Sequence, residues 1–354
     1  MPNPRDNIRK LAPYTPGEQF DTSIVTKLNT NENPYPPSPG VMQAIRELPA
    51  EKLRVYPPPL AQPFRLAAAQ LHGLTPANAI ATNGGDELLR LILTCYCEPG
   101  KEQGGIGVTD PTYSLYPVLA AIQNTPVVTV NRKTDFALAD DTVKQWNDAG
   151  CRVGMIVNPH APTGRFETAD TLRRMAGEFR GLLLIDEAYV NFAPADALEL
   201  VRGGVDNVIL LRSLSKGYSL AGLRFGYGLA HADIIATLDK ARDSYNTDAI
   251  AQAAAVAAIT DQDYARQTWA KVIAQRARLI AELRKRGFVV LDSHSNFVLA
   301  TPPDKYVAAE LYAALKQRNI LVRYFNLRML DDKLRITIGT EQQVTSLLAA
   351  IDQL

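Results

Sequence analysis

Short apolar runs punctuate this chain at intervals, and segments with helical spacing lie between several of them. The runs at 105–109, 127–131, 153–157, 182–185, 208–211 and 225–229 are too short for helices. Gly181-Leu-Leu-Leu-Ile185 is apolar throughout, the pattern of a strand buried on both faces of a parallel sheet. Helical spacing appears at 63–71. It appears again after Gly84-Gly85-Asp86-Glu87, where glycines, then acids, then an apolar stripe mark a helix start. From 233 to about 286 helix formers dominate, with alanines dense at 251–258, which predicts long helices linking two domains. The tail alternates again: apolar runs at 288–291, 296–300, 320–323 and 334–338 around a helix near 308–317. That pattern fits a small α+β domain. The first forty residues are proline-rich and polar with little periodicity, and Pro57-Pro58-Pro59 is a second rigid piece. The predicted organisation is an α/β chain. An arm over 1–44 packs with the small domain. A large domain over 45–250 has a mainly parallel mixed sheet between helices. Interdomain helices and the small domain fill 251–354. No internal repeat or low-complexity tract is present.

Composition changes this picture little. With 354 residues, 46% hydrophobic and 21% charged, the chain has ordinary globular composition and length for a large core. A formal net charge of +1 gives no electrostatic footprint for nucleic acid or a membrane surface. Cys95, Cys97 and Cys151 form an odd set without zinc-like spacing and are expected to be reduced core thiols. The histidines at 72, 160, 231 and 294 are scattered, against a histidine-based metal site. Met1-Pro-Asn-Pro-Arg-Asp has no apolar signal region, and no apolar run approaches the roughly 18 residues of a membrane span. A soluble cytoplasmic protein is expected.

The chemistry concentrates in two places. In Ser213-Leu-Ser215-Lys216-Gly-Tyr-Ser-Leu-Ala-Gly-Leu-Arg224, one lysine stands among hydroxyls and glycines, with an arginine eight positions on. This suits a cofactor carrying both an aldehyde and a phosphate: lysine for the aldehyde, serines and the planar guanidinium for the phosphate. A solvated loop lysine beside a core strand fits the same residues. Thirty residues upstream, the 182–185 run ends in Asp186-Glu-Ala-Tyr189. An acid at the C-terminal end of such a strand lies where open α/β sheets bind ligands. Pyridoxal phosphate needs a carboxylate there to keep its ring nitrogen protonated, and Tyr189 is placed to reach the ring's 3′-oxygen. A helix cap for Asp186 and core packing for Tyr189 remain open.

At this point the sequence resembles the fold-type I pyridoxal-phosphate aminotransferases, and within them the histidinol-phosphate aminotransferases. The resemblance runs from about Asn7 to the C-terminus. It is carried by Ile8-Arg-Lys-Leu-Ala-Pro-Tyr14, Lys27-Leu-Asn-Thr-Asn-Glu-Asn33-Pro-Tyr-Pro-Pro-Ser-Pro39, Val55-Tyr56-Pro, Asn83-Gly-Gly-Asp-Glu87, Asp110-Pro-Thr-Tyr113, Asp186-Glu-Ala-Tyr189, the lysine segment, Ser295-Asn296-Phe297 and Leu334-Arg335-Ile-Thr-Ile-Gly-Thr340, in this order. It implies that Lys216, Asp186 and Tyr189 are catalytic. Gly84, Gly85, Asp86, Ser213, Ser215 and Arg224 would hold the cofactor phosphate, at a helix N-terminus suited to anions. Tyr113 would stack on the pyridine ring, and Asn158 would be a further cofactor residue. Tyr56 would cross a homodimer interface to the partner's phosphate, so that active sites are shared. Tyr14, Asn33, Asn296, Arg323 and Arg335 would bind substrate, the arginines taking its anionic group.

One departure stands out. Where the family usually has Asn-Pro-Asn-Asn-Pro-Thr-Gly, this chain has Asn158-Pro-His160-Ala161-Pro-Thr-Gly164. Ala161 replaces an asparagine that donates to the 3′-oxygen, and His160 reads as a loop residue rather than its substitute. The expected function is transfer of the amino group of L-histidinol phosphate to 2-oxoglutarate, giving imidazole acetol phosphate and L-glutamate. Its partners are thus a small amino donor and a 2-oxo acid, with no nucleic acid and no membrane. An aromatic-amino-acid aminotransferase and a threonine-phosphate decarboxylase share the scaffold. A non-enzymatic regulator on this fold would carry an N-terminal DNA-binding domain, for which the arm is too short.

Overall fold

The structure is a computed structural model that describes residues 2–11 and 25–354. Its strands are β1 (Thr26–Lys27), β2 (Ala79–Thr82), β3 (Ile106–Asp110), β4 (Val127–Asn131), β5 (Val153–Val157), β6 (Leu182–Asp186), β7 (Val208–Ser213), β8 (Gly226–Ala230), β9 (Val289–Val290), β10 (Phe297–Thr301), β11 (Ile320–Leu321), β12 (Arg323–Tyr324) and β13 (Leu334–Thr337). Seven of them form one sheet in the order β2-β8-β7-β6-β5-β3-β4. Every neighbour pair is parallel except the two made by β8, which runs against both β7 and β2.

The apolar runs become strands because both faces of this sheet are covered. Along β6, Leu183 and Ile185 enter one core, with Phe64, Trp146 and Phe225. Leu182 and Leu184 enter the other, with Leu88, Ile92 and Tyr116. Helices Gln62–His72 and Ala249–Thr260 pack on the first face, and Gly85–Tyr96, Leu115–Gln123 and Ala232–Ala241 on the second. The alternation continues past the apolar run. Asp186 follows Leu184 toward the second face, and Glu187 turns to the first, where it pairs with Arg212.

A second sheet, antiparallel in the order β12-β13-β10-β9, lies over helices Ala308–Gln317 and Glu341–Asp352. The long helix Gln262–Lys285 joins the two bodies: its Ala265 sits in the first large-sheet core, and its Val272, Leu279 and Leu283 in the small-sheet core. The chain after residue 25 belongs beside the second body. β1 pairs in parallel with β11, and Leu28 is fully buried in the small-sheet core.

Three details differ from the sequence expectation. β2 gave no strand signal, because Ala79-Ile-Ala-Thr82 is short and alanine-rich; it forms by pairing with β8. The run 320–323 is two strands, β11 facing β1 and β12 facing β13, with a change of partner at Val322. The extended reading of the first residues is interrupted by the helix Asp6–Arg9 and stops at Ser38. The Ser38 hydroxyl accepts from the Gly40 amide at 3.2 Å and caps helix Pro39–Arg46.

Candidate active site

The C-terminal edge of the large sheet gathers most of the chemistry. Asp186 ends β6, Ser213 ends β7, Asp110 ends β3, and Gly84 and Gly85 follow β2. Because β8 is antiparallel, it enters the sheet at this same edge, with Gly226 in register with both Ser213 and Thr82. The loop from β7 to β8 therefore leaves and rejoins the site edge, and it carries Lys216 and Arg224.

Asp186 is 5% exposed. It accepts from the Tyr116 hydroxyl at 2.8 Å and from the Ala188 amide at 3.0 Å. Burial pushes its carboxyl up to about 6 against the pull of these donors. A buried carboxylate under that penalty is relieved by a cation set against it. Lys216 is displaced the other way: desolvation, then the positive charge of Arg335, brings its amine down to about 8. Its Nζ donates to the Thr30 carbonyl at 3.0 Å.

The anion cradle lies where the serines and Arg224 converge. Arg224 adopts a left-handed backbone, φ 56°. Its guanidinium reaches Ser215 Oγ at 3.5 Å and Asp86 at 3.5 Å. Ser213 Oγ accepts from the Ser215 amide at 3.1 Å. Gly84 has φ 76°, and a Cβ there would stand 2.7 Å from Arg224 Nη2, so this turn admits only glycine. The N-terminus of helix Gly85–Tyr96 opens at the same turn.

Tyr113 meets Tyr116 edge to face, ring centroids 5.5 Å apart. Tyr189 crosses Phe297 at 5.1 Å, and its hydroxyl accepts from Asn31 Nδ2 at 3.0 Å. Asn33 donates to the Gly217 carbonyl at 3.4 Å, beside Lys216. Asn296 is buried and donates to the Asn31 carbonyl at 2.8 Å; its Oδ1 has no partner among the described residues. Arg335 donates to the Asn29 carbonyl at 2.9 Å, with its guanidinium 5.3 Å from the Phe297 ring. Arg323 is its direct register partner across β12 and β13, and both guanidinia flank Phe325 at 5.2 Å.

Two expected residues are held away from such a site. Both ends of the Asn158 carboxamide are engaged with the Glu167 backbone, at 3.0 and 2.8 Å, and the side chain is buried. In this structure it clamps the loop, and its part as a cofactor residue rests on the resemblance alone. Tyr56 is 79% exposed and stacks on Tyr245 at 4.4 Å, turned to the outside of this chain. Tyr14 lies outside the described residues. His160 is fully buried, bonding Thr163 Oγ1 at 2.7 Å and the Pro111 carbonyl at 2.9 Å. Burial holds its ring well below the usual histidine range, so it is a neutral strut of the loop.

Sequence reading missed Tyr116, Thr30, Asn31 and Thr337. Only Tyr116 left a trace, three residues after Tyr113 at a helix start.

These residues fit pyridoxal phosphate. A buried carboxylate is ready for a ring cation, a desolvated lysine for an aldehyde, and a glycine–serine–arginine cradle for a phosphate. Among the described residues no His, Cys, Asp or Glu cluster could hold a metal ion, and no helix is long and apolar enough to cross a membrane. The three cysteines are free thiols.

Fold and site thus define a pyridoxal-phosphate-dependent enzyme of the fold-type I class. The chain belongs to the family described as aminotransferase class I and II, whose model matches residues 23–351. It is 44% identical over 351 residues to histidinol-phosphate aminotransferase 1 of Trichormus variabilis, covering 99% of this chain and 98% of that one. It is 41% identical to the histidinol-phosphate aminotransferase of Microcystis aeruginosa, with 99% and 98% covered. Among solved structures it is similar to the histidinol-phosphate aminotransferase of Sinorhizobium meliloti in complex with pyridoxal-5′-phosphate. The TM-score is 0.89 at 28% identity, over 99% of this chain and 96% of that one. The chain is a pyridoxal-phosphate-dependent aminotransferase.

Proposed function

We propose that this enzyme transfers the amino group of L-histidinol phosphate to 2-oxoglutarate, forming imidazole acetol phosphate and L-glutamate, a step of histidine biosynthesis. The names of its relatives support this reading, and one observation carries it: Arg323 and Arg335 face each other across neighbouring strands. Two like charges directly opposite destabilise a sheet unless something anionic joins them. A phosphate dianion matches that pair better than a single carboxylate does.

Bound pyridoxal phosphate supplies an aldehyde that takes up the amino group and a ring that delocalises electrons from the substrate's α-carbon. Asp186 would hold the proton on the ring nitrogen. Gly84, Gly85, Asp86, Ser213, Ser215 and Arg224 would hold the phosphate, Tyr113 would cover the ring face, and Tyr189 would donate to the 3′-oxygen. Lys216 Nζ would take the proton from the substrate's α-carbon as a base and, as an acid, pass it to the carbon of the former aldehyde group. A basicity lowered to about 8 keeps a useful fraction of neutral amine near physiological pH. Arg335 and Arg323 orient the substrate by its anion, with Asn33 and Asn296 nearby; Tyr14 is assigned to substrate binding by resemblance alone.

The test is a half-reaction screen. Histidinol phosphate, aromatic amino acids and threonine phosphate are each added to the yellow enzyme, and loss of the yellow band is timed. Histidinol phosphate should convert it fastest; faster conversion by an aromatic amino acid would reassign the substrate. Arg335→Ala should lower kcat/KM for histidinol phosphate and glutamate alike, by about a hundredfold or more. Arg323→Ala should penalise histidinol phosphate at least about tenfold more than glutamate. Equal losses would remove the phosphate role from Arg323.

The proposed assembly is a cytoplasmic homodimer with shared sites. Met42, Leu53, Val55, Tyr56, Leu66, Tyr245 and Ile250 are exposed apolar or aromatic residues on neighbouring segments, and Val55 and Tyr56 belong to a matched motif. Tyr56 should act in trans. Inactive Lys216→Ala chains mixed with Tyr56→Phe chains should regain up to about a quarter of parental sites, since random exchange makes half the dimers mixed with one intact site each. No recovery after verified subunit exchange would return Tyr56 to its own chain.

A further inference from the structure

We propose that Asn31 is a positioning residue that sets the direction of the Tyr189 phenol proton, so that Tyr189 alone serves the cofactor's 3′-oxygen where Ala161 supplies no donor. This rests on the reading of Tyr189 given above.

The direction follows from counting protons. Thr337 Oγ1 accepts from the Asn31 backbone amide at 3.0 Å, and donates its single proton to Asn31 Oδ1 at 3.0 Å. The oxygen end of the Asn31 carboxamide is thereby fixed toward Thr337. The nitrogen end then points to Tyr189, 3.0 Å from its hydroxyl. A phenol oxygen that accepts from Asn31 gives its own proton in another direction, and it gives it more readily for being polarised. Asn31 itself has no freedom to turn. It is 2% exposed, its backbone is left-handed at φ 57°, and Asn296 Nδ2 holds its carbonyl at 2.8 Å. Asparagine is among the few residues that take this backbone conformation readily.

Two neighbouring candidates for the missing donor are held in place by the same structure. Both His160 nitrogens are engaged with Thr163 and Pro111, and both ends of the Asn158 amide with Glu167. Thr337 shares β13 with Arg335, two residues apart and so on the same face. The strand that reads the substrate's anion therefore also fixes Asn31.

The experiment titrates the yellow absorption band of the holoenzyme against pH. A donor to the 3′-oxygen lowers the band's midpoint by stabilising the deprotonated chromophore. Asn31→Gly removes the amide while glycine keeps the left-handed backbone at no cost. Its midpoint should rise by about half a pH unit or more. In a Tyr189→Phe background the same substitution should produce no further change. Asp186, Tyr113 and Tyr116 from the large sheet, Arg224 from the lysine loop, Arg335 from β13, and Lys27 and Glu32 from the segment of Asn31 all face this region. None is altered, so their field is constant across the cycle. Equal shifts in both backgrounds would overturn the proposal, because Asn31 would then act independently of Tyr189. So would an unchanged midpoint in a folded, cofactor-loaded Asn31→Gly protein. Should Asn31→Gly not fold, Thr337→Val takes its place in the same cycle, with the same expected and overturning outcomes. Failure of the underlying reading looks different: Tyr189→Phe alone would leave the midpoint where it was.

Discussion

Lys216→Ala should fold, hold the cofactor by its phosphate, and turn over about ten thousandfold more slowly or worse. The loss is large because two duties fall on one amine. In the proposed mechanism Lys216 Nζ bonds the aldehyde, and it is also the base at the substrate's α-carbon. Among the other described lysines, Lys27 comes nearest in its electrical influence on the site, and its ammonium is tied to Glu32 at 2.5 Å. Folding should not suffer, because the substitution removes a cation whose desolvation already lowers its basicity to about 8. Single-turnover rates and the visible spectrum of the loaded variant check this together. A retained yellow band with parental turnover would remove Lys216 from the chemistry.

Asp186→Asn should retain cofactor but lose about a hundredfold to a thousandfold in kcat, the usual cost of deleting one preorganised charge. The amide cannot hold the ring nitrogen protonated, so the α-carbon's electrons find a weaker sink. Turnover within about threefold of the parent, well under 1.4 kcal/mol of barrier, would make Asp186 a cap for the turn that follows β6. The stability of the cofactor-free protein should move the opposite way. An acid whose folded value is raised to about 6 from 3.8 favours folding only while it stays protonated. That contribution is present below 3.8 and is lost as pH rises through about 6. At pH 7.5 the buried carboxylate therefore costs roughly 3 kcal/mol, which the neutral amide avoids. Cofactor-free Asp186→Asn should melt at or above the parent at pH 7.5, with the difference vanishing toward pH 4. The parent should gain more than the variant when cofactor is added.

What the sequence made legible depended on how local each cause was. Leu182-Leu-Leu-Ile185 announces a strand by itself, and an acid at its end stands at the ligand edge of an α/β sheet whatever else the chain does. Gly84 is marked by a turn that no larger residue could occupy. Lys216 and Arg224 share one loop, so their pairing is written within a few positions. Asn31 shows the opposite case. It meets Tyr189 across 158 residues of chain and Thr337 across 306, and nothing in Asn-Thr-Asn-Glu-Asn names either partner. Tyr116 was hidden because a buried phenol on a helix looks like core until the carboxylate it touches is known. Asn158 is a related case. Its position after β5 is a ligand-edge position, but the polar side chain turned back to satisfy the Glu167 backbone, a choice that only the folded loop decides.

The antiparallel course of β8 has a consequence for how this enzyme can change over generations. Ser213 and Gly226 are register partners, so the segment between them is a closed hoop with both feet on neighbouring strands. Lys216 stands near one foot and Arg224 near the other, and under the proposed roles the span between them gauges the length of the molecule they would grip. A residue gained or lost inside the hoop leaves the sheet intact and the core undisturbed, yet misfits the gauge. Length variation should therefore be tolerated in the chain's outward turns long before it is tolerated here, and a descendant that drops the cofactor would be free to remodel this hoop first.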